Sequence, residues 1–206
     1  MSRPIMSWRI PFLSSSLLVV SSAALAAGFQ WHSESASWTE PAGASAATTA
    51  ESLVTPEYFG LQAVKLWDFD GRTCSMQVDQ SSLNAPSARP LDAVRFCEPK
   101  QTQAWKRADL GTGHFVTAIS VCTAQGKDEK PAVHGIELWG ASVDANGKLK
   151  PAKSSAKLEL TSCQKWSPKR SCPAGSVATG IRAHLGDAES GAHGFALRCH
   201  AVKVAG

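Results

Sequence analysis

"CPAGSVATGIRAHLGDAESGAHGFALRCHA", Cys172 to Ala201, restates a pattern already written at "GHFVTAISVCTAQGKDEKPAVHGIELWGA", Gly113 to Ala141. Upstream, Gln103 and Trp105 fall opposite Gln164 and Trp166, so the copies start 61 residues apart. With one inserted residue, Gly113 meets Gly175, Thr117 meets Thr179 and Ile119 meets Ile181. Each copy then crosses a polar loop and re-enters a strand-like run at His-Gly, as His134-Gly135-Ile136-Glu137-Leu138 and His193-Gly194-Phe195-Ala196-Leu197. Alternation at period two puts Phe115, Thr117, Ile119 and Val121 on one face, and treats Val177, Thr179, Ile181 and Ala183 alike. Ile136 with Leu138, and Phe195 with Leu197, are the matching apolar pairs. The repeated letters are those a buried sheet face requires.

A fainter copy precedes these two. "YFGLQAVKL" stands for its first strand and "LDAVRFC" for its second, with Asp92-Ala93 in place of His-Gly. After Pro56 the chain is a succession of short β-like runs, and Asn146-Gly147 supplies the positive φ of a tight hairpin turn. No stretch keeps a helical period. The expected fold class is all-β, with three repeated antiparallel sheets at 57–100, 101–160 and 161–206. One sheet cannot cover its own apolar face, so the copies must face one another around a shared core.

The N-terminal residues read differently. Residues 1–26 carry Arg3 and Arg9, no acid, a Ser-rich apolar run and the small-x-small site Ala24-Leu25-Ala26, as in a signal peptide. The apolar run is too short and too polar for a good membrane span. Residues 27–56 are rich in Ala, Ser, Thr and Glu, and are expected to form a flexible arm, with Trp38 as a candidate anchor. Without Arg3 and Arg9 the 21 bases become 19 against 17 acids, and no basic cluster marks a nucleic-acid surface. The expected location is secreted or periplasmic. Six cysteines behind such a leader (Cys74, Cys97, Cys122, Cys163, Cys172 and Cys199) read as disulfides, and no C-x-x-C pair suggests zinc.

The Cys172-Pro-x-Gly opening, the strand Thr179-Gly180-Ile181 and the ending "GFALRC" resemble the vitelline membrane outer layer protein I type of β-prism. The resemblance covers roughly residues 100–202, with 58–98 as a degenerate first sheet. It implies three four-stranded sheets around a pseudo-threefold axis. Within the last copy it implies a Cys172–Cys199 bridge from entry to exit, with Cys163–Cys172 as the rival. The first choice leaves Cys74–Cys97 and Cys122–Cys163. The middle copy departs from the family in lacking these opening and closing cysteines.

Candidate chemistry is sparse. His134 and His193 are equivalent, and with Asp92 they would form a His/His/Asp metal set only if three sheets brought them together. "WDFDGR" (67–72) and "DANG" (144–147) are acidic turns lacking the further oxygen ligands and distal Glu of a calcium loop. No G-x-S-x-G, H-E-x-x-H or phosphate loop occurs. The sequence calls for no cofactor and no catalytic residue. Residues that break a repeat are better functional candidates than residues that keep it. Trp67 and Trp139 are not repeated in the last copy, where Arg198 replaces Trp139, and Ala196 replaces Glu137. The candidate ligand surface is therefore Trp67, Asp70, Glu137 and Trp139. The expected function is a non-catalytic module that binds glycan or a cell-envelope component, or serves structurally there. The alternatives are a glycan hydrolase pairing Glu137 with Asp70 or Asp92, and a protein-binding inhibitor or toxin accessory component.

Overall fold

The computed structural model describes residues 28–31, 33–45, 49–69, 72–85, 87–97, 105–125, 131–160, 163–186 and 191–204. The leader expected at 1–26 lies outside them. In chain order the first strands are β1 (Phe29–Trp31), β2 (Ser37–Trp38), β3 (Ala42–Gly43) and β4 (Thr49–Val54). The first long hairpin follows as β5 (Phe59–Phe69) and β6 (Arg72–Ser82), then β7 (Ala88–Pro90), β8 (Val94–Arg95) and β9 (Trp105–Asp109). The second hairpin is β10 (Phe115–Gln125) and β11 (Pro131–Val143), followed by β12 (Leu149–Pro151), β13 (Ala156–Glu159), β14 (Lys165–Trp166) and β15 (Arg170–Ser171). The third is β16 (Ser176–Leu185) and β17 (Ala192–Val204).

Each hairpin is the centre of one antiparallel sheet, and the three sheets share one plan. The first sheet runs β7/β8–β6–β5–β9, the second β12/β13–β11–β10–β14/β15, and the third β1/β2/β3–β17–β16–β4. The strand that leads into a hairpin pairs with the preceding sheet: β9 precedes β10 but joins β5, and β14/β15 precede β16 but join β10. By the same rule β4 precedes β5 and joins β16, so the two ends of the chain complete one sheet. β1 to β4, which fall in the segment 27–56 expected as a flexible arm, are thus the missing outer strands of the third copy. Their weak β composition misled because the partners that order them lie about 150 residues away in sequence.

The first copy also needs correction. Its second strand is β6, not "LDAVRFC", which supplies the outer strand β8. Polar Gln77, Asp79, Gln80 and Ser81 hide the alternation of β6, although Met76 and Val78 are fully buried.

Every hairpin carries two β-bulges, one on each strand. On the first strand the pairing skips Gln62, Thr117 and Thr179; on the second it skips Cys74, His134 and His193. An extra residue turns the following side chains to the other face. Val116 therefore points inward with Ile119 and Val121, whereas Thr117 does not, contrary to simple alternation. Two equivalent layers fill the axis: Val64, Val78, Ile119, Leu138, Ile181 and Leu197, then Leu66, Met76, Val121, Ile136, Ala183 and Phe195, all fully buried. Phe115, Val177 and Leu83 form a second cluster against Phe29, Trp31 and Val202.

The repeated His-Gly now has a physical reason. Histidine is the bulge residue, and glycine admits the outer strand. A Cβ on Gly135 would lie 2.9 Å from the Leu158 carbonyl oxygen, and one on Gly194 would lie 2.6 Å from that of Ala42. In the first sheet Ser75 takes this place, and its hydroxyl donates to the Val94 carbonyl at 2.9 Å. Disulfides join Cys74–Cys97, Cys122–Cys163 and Cys172–Cys199, one within the reach of each sheet. In the chain-entropy account each such loop contributes about 3–4 kcal/mol.

Candidate functional site

Trp67, Glu137 and Trp139 all alternate with core residues, so they face outward, but they occupy two sheets. Trp67 lies on β5 opposite Trp105 of β9, and Lys65 sits 5.7 Å from the Trp105 ring centre. Glu137 and Trp139 lie on β11; Glu137 accepts a 2.6 Å hydrogen bond from the Ser155 hydroxyl, and Lys169 caps the Trp139 ring at 4.5 Å. Asp70 lies outside the described residues. His134 and His193 sit at bulges on separate sheets, and Asp92 is not their counterpart, since Cys74 is. Among the described residues no three His, Cys, Asp or Glu side chains gather around a metal-sized gap. In the "DANG" turn, Asp144 Oδ1 accepts from the backbone N–H groups of Asn146 and Lys148, both at 3.0 Å. The Lys148 N–H is the main reason its carboxyl is held below the ordinary range.

A different place gathers residues that depart from the repeat. Three equivalent turns lead into the three hairpins, closed by Phe59 N–H to Pro56, His114 N–H to Gly111, and Ser176 N–H to Pro173. In each turn the residue before the closing N–H is left-handed: Gly113 at φ 79°, Gly175 at φ 76°, and Tyr58 at φ 66°. Two copies use glycine, as the conformation prefers; the first forces a tyrosine into it, at a cost of about 1–2 kcal/mol. Tyr58 is also 44% exposed. Strain retained under an exposed aromatic ring marks a place where the ring matters more than the turn.

Tyr58 forms the lip of a pocket of about 510 Å³ at the end of the third sheet. Its wall comprises Gln30 and Trp31 of β1, Thr55, Pro56, Glu57 and Tyr58 of the β4–β5 turn, Thr179 of β16, and Arg198, His200 and Lys203 of β17. These residues meet because the chain ends complete this sheet. Besides Tyr58, two of them break the repeat. Arg198 stands where the other hairpins have Asp79 and Trp139, and His200 where they have Ser81 and Ala141. Thr179, the bulge residue, shares a 2.7 Å hydrogen bond with His200 Nδ1, and the Trp31 ring centre lies 6.1 Å from that of His200. Burial holds the His200 imidazole below its ordinary pKa, and the Arg198 charge adds to that shift. The pocket therefore presents two aromatic rings, two cations, one acid and a histidine held toward its neutral form.

Sequence reasoning singled out Trp139 for breaking the repeat but not the arginine that replaces it. Tyr58 was hidden because its turn does not look like "GTG" or "PAG". Trp31 was hidden because it belongs to a strand at the far end of the chain.

No protein-family model matches the chain, and no curated protein sequence matches it significantly. Solved structures do. A single-chain recombinant jacalin, described as having a dynamic excision loop that reduces binding affinity, is 12% identical over 80% of this chain and 93% of its own, at a TM-score of 0.50. The agglutinin of Calystegia sepium is 11% identical over 79% of this chain and 95% of its own, at a TM-score of 0.52. The Calsepa lectin in complex with a bisected glycan scores 0.52 at 12% identity, over 79% and 95%. Identity this low speaks to fold alone, and it points to jacalin-like lectins rather than to the vitelline membrane outer layer protein in particular. The chain is all-β and stapled by three disulfides, and its three-sheet β-prism fold is one it shares with these lectins.

Proposed function

We propose that the protein is an exported, non-catalytic glycan-binding module that engages saccharides of a cell envelope or another extracellular surface. The observation that carries this reading is the β-prism shared with lectins, one of which, the Calsepa lectin, is solved both with a bisected glycan and with a biantennary N-glycan. The pocket beside Trp31 and Tyr58 supports it, since flat aromatic faces suit the apolar side of a sugar ring. A leader-like N-terminus and three disulfides support passage into an oxidising compartment.

The test is a glycan array combined with a pull-down on envelope polysaccharides, using the chain from residue 27 onward. Binding to at least one saccharide class is expected, at the micromolar to millimolar strength of a small, open site. Silence across every class rules the reading out. A Trp67→Ala/Trp139→Ala variant, compared with Tyr58→Gly, separates the two candidate surfaces. Loss only in the tryptophan variant moves the ligand to the outer sheet faces.

A further inference from the structure

Arg198 of the end pocket differs from half-buried Lys65, Arg170 and Arg182 in how its charge is satisfied. Arg107 pairs with Asp79 at 2.6 Å and with Asp109 at 2.8 Å, and Arg170 pairs with Glu40 at 2.8 Å. Lys157 pairs with Glu159 at 2.8 Å, and Arg182 stacks on the Trp38 ring at 3.9 Å. Arg198 is half-buried yet makes no ion pair among the described residues, and neither does Lys203 at the rim. A partly desolvated guanidinium without an anion is unfavourable, and its planar fork suits the oxygens of a carboxylate or sulfate.

The two threonine hydroxyls of the wall are already engaged, whereas the buried Trp31 indole N–H has no partner among the described residues. The Thr55 hydroxyl faces the carbonyls of Phe59 and Thr179, and the Thr179 hydroxyl meets His200 Nδ1. Arg198 and Lys203 are the charged donors open to a ligand, against the single acid Glu57. Charge and aromatic faces occur together, as a charged sugar requires and a bare ion does not.

We propose that this pocket takes an anionic saccharide, a sugar bearing a carboxylate or a sulfate ester, with Arg198 as the principal anchor, Lys203 as a second charge, and Trp31 and Tyr58 against the ring. This rests on the glycan-binding reading and specifies its ligand class and its seat. Arg198 fills a position that the other two sheets give to Asp79 and Trp139, so no requirement of the scaffold accounts for it.

Matched probes test it by calorimetry: trigalacturonate against its methyl ester, sialyllactose against lactose, and a heparin tetrasaccharide for the sulfate arm. At least one acidic probe is expected to bind ten-fold or more tighter than its neutral partner, or the sulfated probe tighter than lactose. That advantage should shrink as salt rises from 50 to 500 mM. Arg198→Gln should remove it, and exposed Lys203→Gln should reduce it several-fold without threatening the fold. The carboxylate and heparin arms show which anion is preferred. Neutral and acidic probes binding alike overturn the proposal while leaving glycan binding intact; no saccharide binding at all overturns both. A charge preference that survives both substitutions removes this pocket as the seat.

Discussion

At the scale of single residues, the same position changes meaning between copies. The left-handed turn position shows this best. Gly113 and Gly175 have no atom within 4 Å of an added Cβ, so backbone conformation alone calls for glycine there. Tyr58 holds the same conformation with a ring at the pocket lip. Tyr58→Gly is expected to stabilise the protein by about 1 kcal/mol, a rise of about 2–4 °C in melting temperature for a domain of this size. It should weaken saccharide binding at the same time. Scanning calorimetry with a binding titration on one preparation checks both, and a variant that loses stability without losing ligand contradicts the account. The sequence announced the repeated glycines but not the tyrosine in their register, because equivalence there depends on a turn rather than on shared letters.

At the scale of elements, the two later hairpins were legible because their core positions are aliphatic and their bulges are marked by Thr and His-Gly. The first hairpin was half legible: β5 shows its apolar face, whereas β6 interleaves Asp79, Gln80 and Ser81, all buried, and reads as a loop. Bulges also moved Thr117 and Thr179 off the core face on which strict alternation puts them. Short outer strands could not be read at all, since β2, β3, β8, β14 and β15 have two residues each and are ordered by what they pair with. The segment 29–54 is the test. It places Ala42 and Leu53 in the core and covers both edges of the β16–β17 hairpin. A chain starting at Pro56 should lose cooperative thermal unfolding followed by circular dichroism. An unchanged melt would make this segment the loose arm that its composition suggests.

At the scale of the whole molecule, the closed ring of three sheets explains a pH dependence. Burial lowers the pKa of His134, with Asp68 opposing, and burial followed by Arg198 lowers that of His200. Each imidazole holds its proton less firmly in the fold than in the unfolded chain, so unfolding takes up protons once the pH is below the unfolded value. Their contribution is complete above the unfolded value near pH 6.5 and declines as pH falls below it toward the lowered folded values. Melting temperature should therefore fall between pH 7 and pH 5, before most carboxylates titrate. His134→Asn/His200→Asn should flatten that slope, and an equally steep slope in the double variant would assign it elsewhere. The threefold plan was readable from one repeat. Its closure was not, because the letters that complete the third copy lie at the opposite end of the chain. That closure also orders events in time. While a ribosome still holds β16 and β17, β4 and β1 have no neighbours to join. The third sheet stays open along one seam until β17 emerges, and the pocket at its end is the last thing to exist.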